Sequence, residues 1–354
     1  MSNDVRAINK VMVTGNLGYI GSVMVPVLIS MGYTVVGFDT GYYNKECLLY
    51  ENNSNSFKQI VKDIRDVSID DLRGIDGIIH LASLSNDPLG ELKPDITEEI
   101  NYRATLRLAE CAKAAKVKRF LYASSQSMYG IADTNDELDE DNSEKNPLTS
   151  YAKTKWMAEC ELKKMNVDGF SVTCFRPSTV FGVSPKLRCD IVYNNLVACA
   201  YTTGNIEIKS DGTPWRPVIH VIDVSNAFIA GLTAPIELVA AESFNIGMPN
   251  GNFTVRKLAE TAQQVVQGSS LSFTGEHGRD SRTYIVSFKK ILSRLNGYFN
   301  PEWDLIRGGK QLVDLFDRIG FTETDFRHDK CNRLMHLKKL MESKKLNEEL
   351  RWLG

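Results

Sequence analysis

This sequence predicts an α/β fold: a doubly wound parallel sheet joined to a smaller, mixed C-terminal region. Three observations predict it. Short apolar runs alternate with helical periodicities through the first half of the chain. The first run leads at once into a glycine-spaced turn, Gly15-Asn16-Leu17-Gly18-Tyr19-Ile20-Gly21. Beyond about residue 180 the alternation breaks up, with prolines at 185, 214, 217, 235 and 249 punctuating short elements.

Taken in order, residues 11–14 form an apolar strand that ends at Gly15. Gly15 permits the tight turn, Gly18 lets a diphosphate approach the backbone, and Gly21 lets the next helix pack closely on the sheet. Unpaired N–H groups at that helix terminus, around Tyr19 and Ile20, favour an anion. Residues 33–38 form a second strand ending in Asp39, at the distance where an acid binds an adenosine ribose. A carboxylate there repels a 2′-phosphate, and no arginine follows closely to neutralise one, so the pattern favours NAD over NADP. Residues 57–63 make a third strand, and 77–82 a fourth of the fully apolar kind buried in parallel sheets. Residues 97–116 read as a helix with Ile100, Ala104, Leu106, Leu108 and Ala112 on its apolar positions. A fifth strand covers 119–123, a helix begins near Ser150, and a sixth strand covers 171–175. This βαβ order implies right-handed crossovers. It divides the chain into a dinucleotide-binding part, 1–179, and a mainly substrate-binding part, 180–354, some of whose segments return to the first.

The bulk properties set limits on function. A formal charge of −2 gives no electrostatic reason to bind nucleic acid or an anionic membrane. No apolar stretch reaches the ~18 residues of a membrane span, and the N-terminus does not read as a signal peptide. The seven cysteines show neither CxxC nor metal-ligand spacing, which predicts no metal site and a reducing cytoplasm. The segment 133–144, with seven acids, reads as a solvated loop, and 331–350 as a charged surface helix without chemistry.

The reactive groups lie after the fifth strand. Tyr151 and Lys155 are four apart on one helix face. The strand before them ends in the hydroxyl cluster Ser124-Ser125-Gln126-Ser127, at the edge of the sheet where ligands bind. A phenol of pKa ~10 is a weak base at neutral pH. A neighbouring ammonium and an oxidised nicotinamide both favour the phenolate. Tyr151 is therefore the candidate base, Lys155 its partner and nicotinamide-ribose anchor, and serine the group that orients the substrate oxygen. His80 and His220 sit inside apolar runs and read as core residues.

At these residues the chain resembles the extended short-chain dehydrogenase/reductases that act on nucleotide sugars. The resemblance runs from about residue 9 to about residue 290. It rests on TGNLGYIG (14–21), FD (38–39), KDIRD (62–66), HLASLSNDP (80–88), Asn101, YASSQSMYG (122–130), SYAKTK (150–155), FRPSTVFG (175–182), PWRPVIHVID (214–223) and RDSRTY (279–284). The resemblance implies Ser125, Tyr151 and Lys155 as the catalytic set. Along an NAD cofactor it places Asp39, Asp63 and Ile64 at the adenosine, then Leu81, Ala82, Ser83 and Asn101. For a nucleoside-diphosphate sugar it implies Arg216 and Arg282 on the diphosphate, where guanidinium forks suit two phosphates. The resemblance further implies Ser127, Thr179, Arg188, Asn195 and Asp280 as substrate contacts.

Two departures narrow the chemistry. Thr179 stands where many 4-epimerases of this family carry Asn. Gln126 and Ser127 stand where its 4,6-dehydratases carry an Asp-Glu pair, so elimination of water lacks its acid and base. The resemblance thus implies an NAD-dependent epimerase acting at sugar C4, or else a one-way 4-dehydrogenase or 4-ketoreductase. A non-catalytic NAD-binding sensor is the rival from another class. A homodimer pairing helices 101–115 and 151–165 is also implied.

Overall fold

A computed structural model describes residues 8–50, 57–131, 136–276 and 283–353. Its centre is a seven-stranded sheet made of β1 (Lys10–Thr14), β2 (Thr34–Asp39), β3 (Lys58–Val61), β4 (Gly77–His80), β5 (Arg119–Ala123), β6 (Ser171–Pro177) and, after a long excursion, the strand Ser243–Ile246. The strand order is Ser243–Ile246, β6, β5, β4, β1, β2, β3. Every neighbouring pair runs parallel. Chain order reverses between β1 and β4, and a crevice opens beyond their carboxyl ends. β4 and most of β5 and β6 are wholly buried, as the central strands of a parallel sheet are.

Among the described residues, eight helices have ten or more residues. They are α1 (Gly21–Ser30), α2 (Ala104–Ala114), α3 (Ser150–Lys164), α4 (Val192–Thr203), α5 (Val221–Thr233), α6 (Val255–Val265), α7 (Leu305–Ile319) and α8 (Arg333–Glu342). Helix α3 is capped by Thr149, whose hydroxyl accepts from the Ala152 N–H at 3.2 Å. One core, including Phe175, Phe228 and Phe244, fills the side of the sheet covered by α1 and α5. A second, including Phe120, Leu108 and Leu162, fills the side covered by α2 and α3. A third packs α4, α6 and α7 around two small sheets in the C-terminal half. No helix among the described residues is long and apolar enough to cross a membrane.

The structure differs from the sequence reading in three places. The helix expected over 97–116 is interrupted by a π-turn, Glu99–Arg103. That extra residue turns Asn101 inward, where it clamps both backbone groups of Leu84 (2.8 and 3.2 Å). The acidic segment is not simply solvated. Glu140 is buried and accepts from the Asn245 N–H at 2.7 Å, while Leu138 bridges to Val286. The expected long surface helix at 331–350 is only the ten-residue α8, and the chain beyond it folds back. Leu337, Leu340, Leu346 and Leu350 are buried in the second core, because the charged positions between them face outward.

Candidate active site

The crevice is a cleft of about 690 Å³. One end is built on the glycine turn. Gly15 holds φ +71°, and a Cβ there would lie 2.7 Å from the Ala82 backbone nitrogen. A Cβ on Gly21 would lie 2.5 Å from the Gly15 carbonyl oxygen, so only glycine lets α1 start against the turn. Asp39 closes β2 beside it. Its carboxylate accepts from the Leu17 N–H at 3.0 Å and the Gly41 N–H at 2.8 Å, which fixes the side chain and leaves lone pairs for ligand hydroxyls. Burial nevertheless raises its pKa. Lys62, Asp63 and Ile64 continue this wall. Asp63 is gripped by Arg65 (2.7 Å), which holds its carboxyl below the usual range against the cost of burial. A close-approach turn, a helix N-terminus and a held carboxylate together fit an adenine dinucleotide.

The middle of the cleft carries Leu81, Ala82 and Ser83 on one wall and Ser125, Ser127, Tyr151 and Lys155 on the other. The Ser125 and Ser127 hydroxyls are 2.7 Å apart. Burial pushes the Tyr151 phenol up to about 12, with hydrogen bonding from Ser125 the strongest opposing influence. Lys155 is 3% exposed, and its ammonium donates to the Ala123 carbonyl at 2.7 Å. Its Nζ lies 5.9 Å from the Tyr151 ring centroid. Burial pushes this lysine down to about 7. Desolvation is the largest influence on the phenol, and the Ser125 hydrogen bond and the Arg188 charge oppose it.

At the far end lie Thr179, Arg188, Asn195 and Arg216. Arg188 is held by Asp190 through two contacts, 2.8 and 3.0 Å, and reaches Ser85 at 3.2 Å. Asn195 donates to the Cys189 carbonyl at 2.8 Å, and Arg216 to the Trp215 carbonyl at 2.8 Å. Asn101 is 1% exposed and stands behind the wall, fixing the loop after β4 rather than lining the cleft. Asp280 and Arg282 lie outside the described residues. Gln126 turns away from the reacting groups, donating to the Arg176 carbonyl at 3.0 Å. His80 sits between Thr14 and Thr105 (2.7 and 2.8 Å), and His220 stacks on Trp303 with ring centroids 4.0 Å apart. Both are core residues kept neutral by burial, each pushed down to about 3.

Sequence reasoning missed two groups. Beneath the serines, Glu159 and Arg176 form a buried ion pair (2.6 Å) that also accepts from Ser124 and Ser243 and reaches the Tyr129 hydroxyl. Glu159 is one turn beyond Lys155, the one available hint. Around the adenosine end, Tyr42, Tyr43 and Arg333 also line the cleft. Arg333 is distant in sequence, so no local pattern points to it.

Comparison with known proteins agrees with this geometry. The chain is 26% identical over 315 residues to a UDP-glucuronate 4-epimerase of Thermodesulfobacterium geofontis (strain OPF15), covering 86% of this chain and 94% of that one. It is 28% identical over 267 residues to the dTDP-D-glucose 4,6-dehydratase of Homo sapiens, covering 73% and 74%. The solved structure of MoeE5 in complex with UDP-glucuronic acid and NAD superposes with a TM-score of 0.74 at 27% identity, over 88% of this chain and 99% of that one. The profile of the NAD dependent epimerase/dehydratase family matches residues 11–247, two-thirds of the sequence. The chain is a member of that family.

Proposed function

We propose that this protein is an NAD-dependent epimerase that inverts the C4 hydroxyl of a nucleoside-diphosphate sugar. The observation that carries this reading is the convergence of Ser125, Tyr151 and Lys155 on one wall of the cleft, with Gln126 tied back to the Arg176 carbonyl. A phenol and a hydroxyl suffice to move one proton on and off a sugar oxygen. An elimination needs a further acid and base, and no carboxylate occupies the position beside Ser125.

When bound, NAD supplies reversible two-electron oxidation of the sugar carbon. The chain's own residues do the rest. Tyr151 removes the proton from the C4 hydroxyl and returns it after the 4-keto sugar has turned over. Ser125 donates to the developing carbonyl, and Ser127, 2.7 Å from it, orients that hydroxyl. Lys155 holds the nicotinamide ribose and favours the phenolate. Arg188, Asn195, Thr179 and Arg216 receive the nucleotide and its diphosphate, with Arg282 and Asp280 as further contacts. UDP-sugars are the first substrates to test, since MoeE5 was solved with UDP-glucuronic acid and UDP-glucose.

The test begins with thermal stabilisation by UDP-, GDP-, CDP- and dTDP-sugars, because a specific ligand raises apparent stability by mass action. The ligand that stabilises is then supplied with deuterium at C4. Label retained in an inverted product is the expected result. Label passing to exchangeable cofactor assigns a one-way dehydrogenase or ketoreductase instead. If no sugar nucleotide is converted to product and none changes the reduced-nicotinamide absorbance, the protein is a non-catalytic NAD binder.

A further inference from the structure

The C-terminal helix enters the cofactor end of the cleft through its first residue. Arg333 is 2% exposed. Its Nη2 donates to the Lys186 carbonyl at 2.5 Å, and its Cζ lies 4.6 Å from the Tyr43 ring centroid. Its Nη1 is buried and has no hydrogen-bond partner, and neither does the buried Tyr43 hydroxyl stacked with it. Asp190 is the anion on the protein side and accepts from the Arg333 backbone N–H, but Nη1 itself stays unbonded, and a buried donor left unmade is costly unless a ligand completes it. The surroundings say where that ligand lies. Lys186 follows Ser184, whose hydroxyl donates to the Tyr19 carbonyl in the glycine turn at 2.8 Å. The Ser184 hydroxyl also accepts from the Lys186 N–H at 3.1 Å. Tyr43 follows Asp39, and the Asp39 carboxylate feels the charges of both Lys186 and Arg333. Arg333 is thus linked on one side to the glycine turn and on the other to the ribose acid. The anionic part of a dinucleotide lying between those two features is its diphosphate.

We propose that Arg333, from the C-terminal helix, binds the diphosphate of NAD from the side opposite the α1 N-terminus, with Lys186 adding positive charge. The glycine turn then supplies backbone donors on one face and Arg333 a guanidinium fork on the other. This rests on cofactor binding by the family fold, not on the epimerase reading, and its test does not involve turnover.

Full-length protein, freed of any co-purified dinucleotide, is titrated calorimetrically with NAD, ADP-ribose, NADP and UDP, with adenosine measured by competition. Arg333→Met is expected to weaken NAD and ADP-ribose by a common factor of about tenfold or more. Adenosine, which lacks the diphosphate, is expected to change by less than about twofold. Arg333→Gln keeps an amide donor for the Lys186 carbonyl and carries the same expectation should the methionine variant fail to fold. Equal loss on adenosine overturns the proposal in favour of a packing role for the Tyr43 wall. So does unchanged binding of NAD and ADP-ribose, or a loss confined to UDP, which reassigns Arg333 to substrate. A wild-type preference for NADP that disappears in the variant reassigns it to a 2′-phosphate.

Discussion

Burial raises the Tyr151 phenol to about 12, while Lys155, the cation placed beside it, is lowered to about 7. Tyr151→Phe removes the proton acceptor without emptying the space, so kcat should fall by about 10²–10⁴ while NAD affinity stays within about twofold. Steady-state kinetics and a binding titration separate the two. Lys155→Met removes a positive charge next to the phenol. The acid limb of the rate profile should then move to higher pH, and a shift the other way would refute the role given to Lys155. A different pH effect comes from the histidines. His80 and His220 titrate near 3 in the folded chain but near ~6.5 when unfolded. The unfolded state therefore binds more protons across that window. Stability is fully present above pH ~6.5 and falls progressively towards pH 3. Chemical denaturation at a series of pH values checks this, and His80→Gln should flatten the slope.

The parallel strands were legible in the sequence because buried runs carry few polar residues, and β1, β2 and β5 were read to within a residue or so. β4 was read two residues long, since Leu81 and Ala82 are apolar but belong to the cleft wall. The glycine turn and the Tyr151–Lys155 pair were legible because both are local spacings. The Glu159–Arg176 pair was not, because a charge on a helix and another on a strand give no local sign that they will meet. Their pairing ties α3 to β6, and through Ser124 and Ser243 to β5 and the last strand of the sheet. Arg176→Met strands a buried carboxylate among these elements. It should cost about 3–5 kcal/mol by chemical denaturation, with kcat falling as well because α3 also carries Tyr151 and Lys155. Glu159→Gln should be comparably destabilising, since it leaves the buried Arg176 guanidinium without its counter-charge and replaces an acceptor oxygen with a donor.

At the scale of the whole molecule, charge composition alone described the tail as a surface helix, and only the folded chain reveals what it covers. Residues beyond α8 run back to the β2 and β3 ends. The Tyr42 hydroxyl donates to the Leu350 carbonyl, Arg351 pairs with Asp66, and Trp352 donates to the Thr40 carbonyl at 2.7 Å. Deleting 331–354 removes Leu337, Leu340, Leu346 and Leu350 and exposes the apolar residues of the second core that they cover. At roughly 1.5–3 kcal/mol for each buried apolar side chain, this should unfold the protein or leave it aggregated. Circular dichroism and light scattering read the outcome. The homodimer that the resemblance implies would pair α2 and α3 of two copies, and α3 carries Met157, which is 40% exposed. Sedimentation should give twice the chain mass, and Met157→Glu should halve it.

The tail holds the cleft wall from behind, since Tyr42 lines the cleft and Leu350 does not. The lining residues run from Gly15 to Arg333, so the pocket draws on segments far apart in the chain. Residues beyond α8 hold the wall residue Tyr42 through the Leu350 carbonyl, so a protease cut near residue 345 would loosen that wall in a molecule whose reacting groups are all intact.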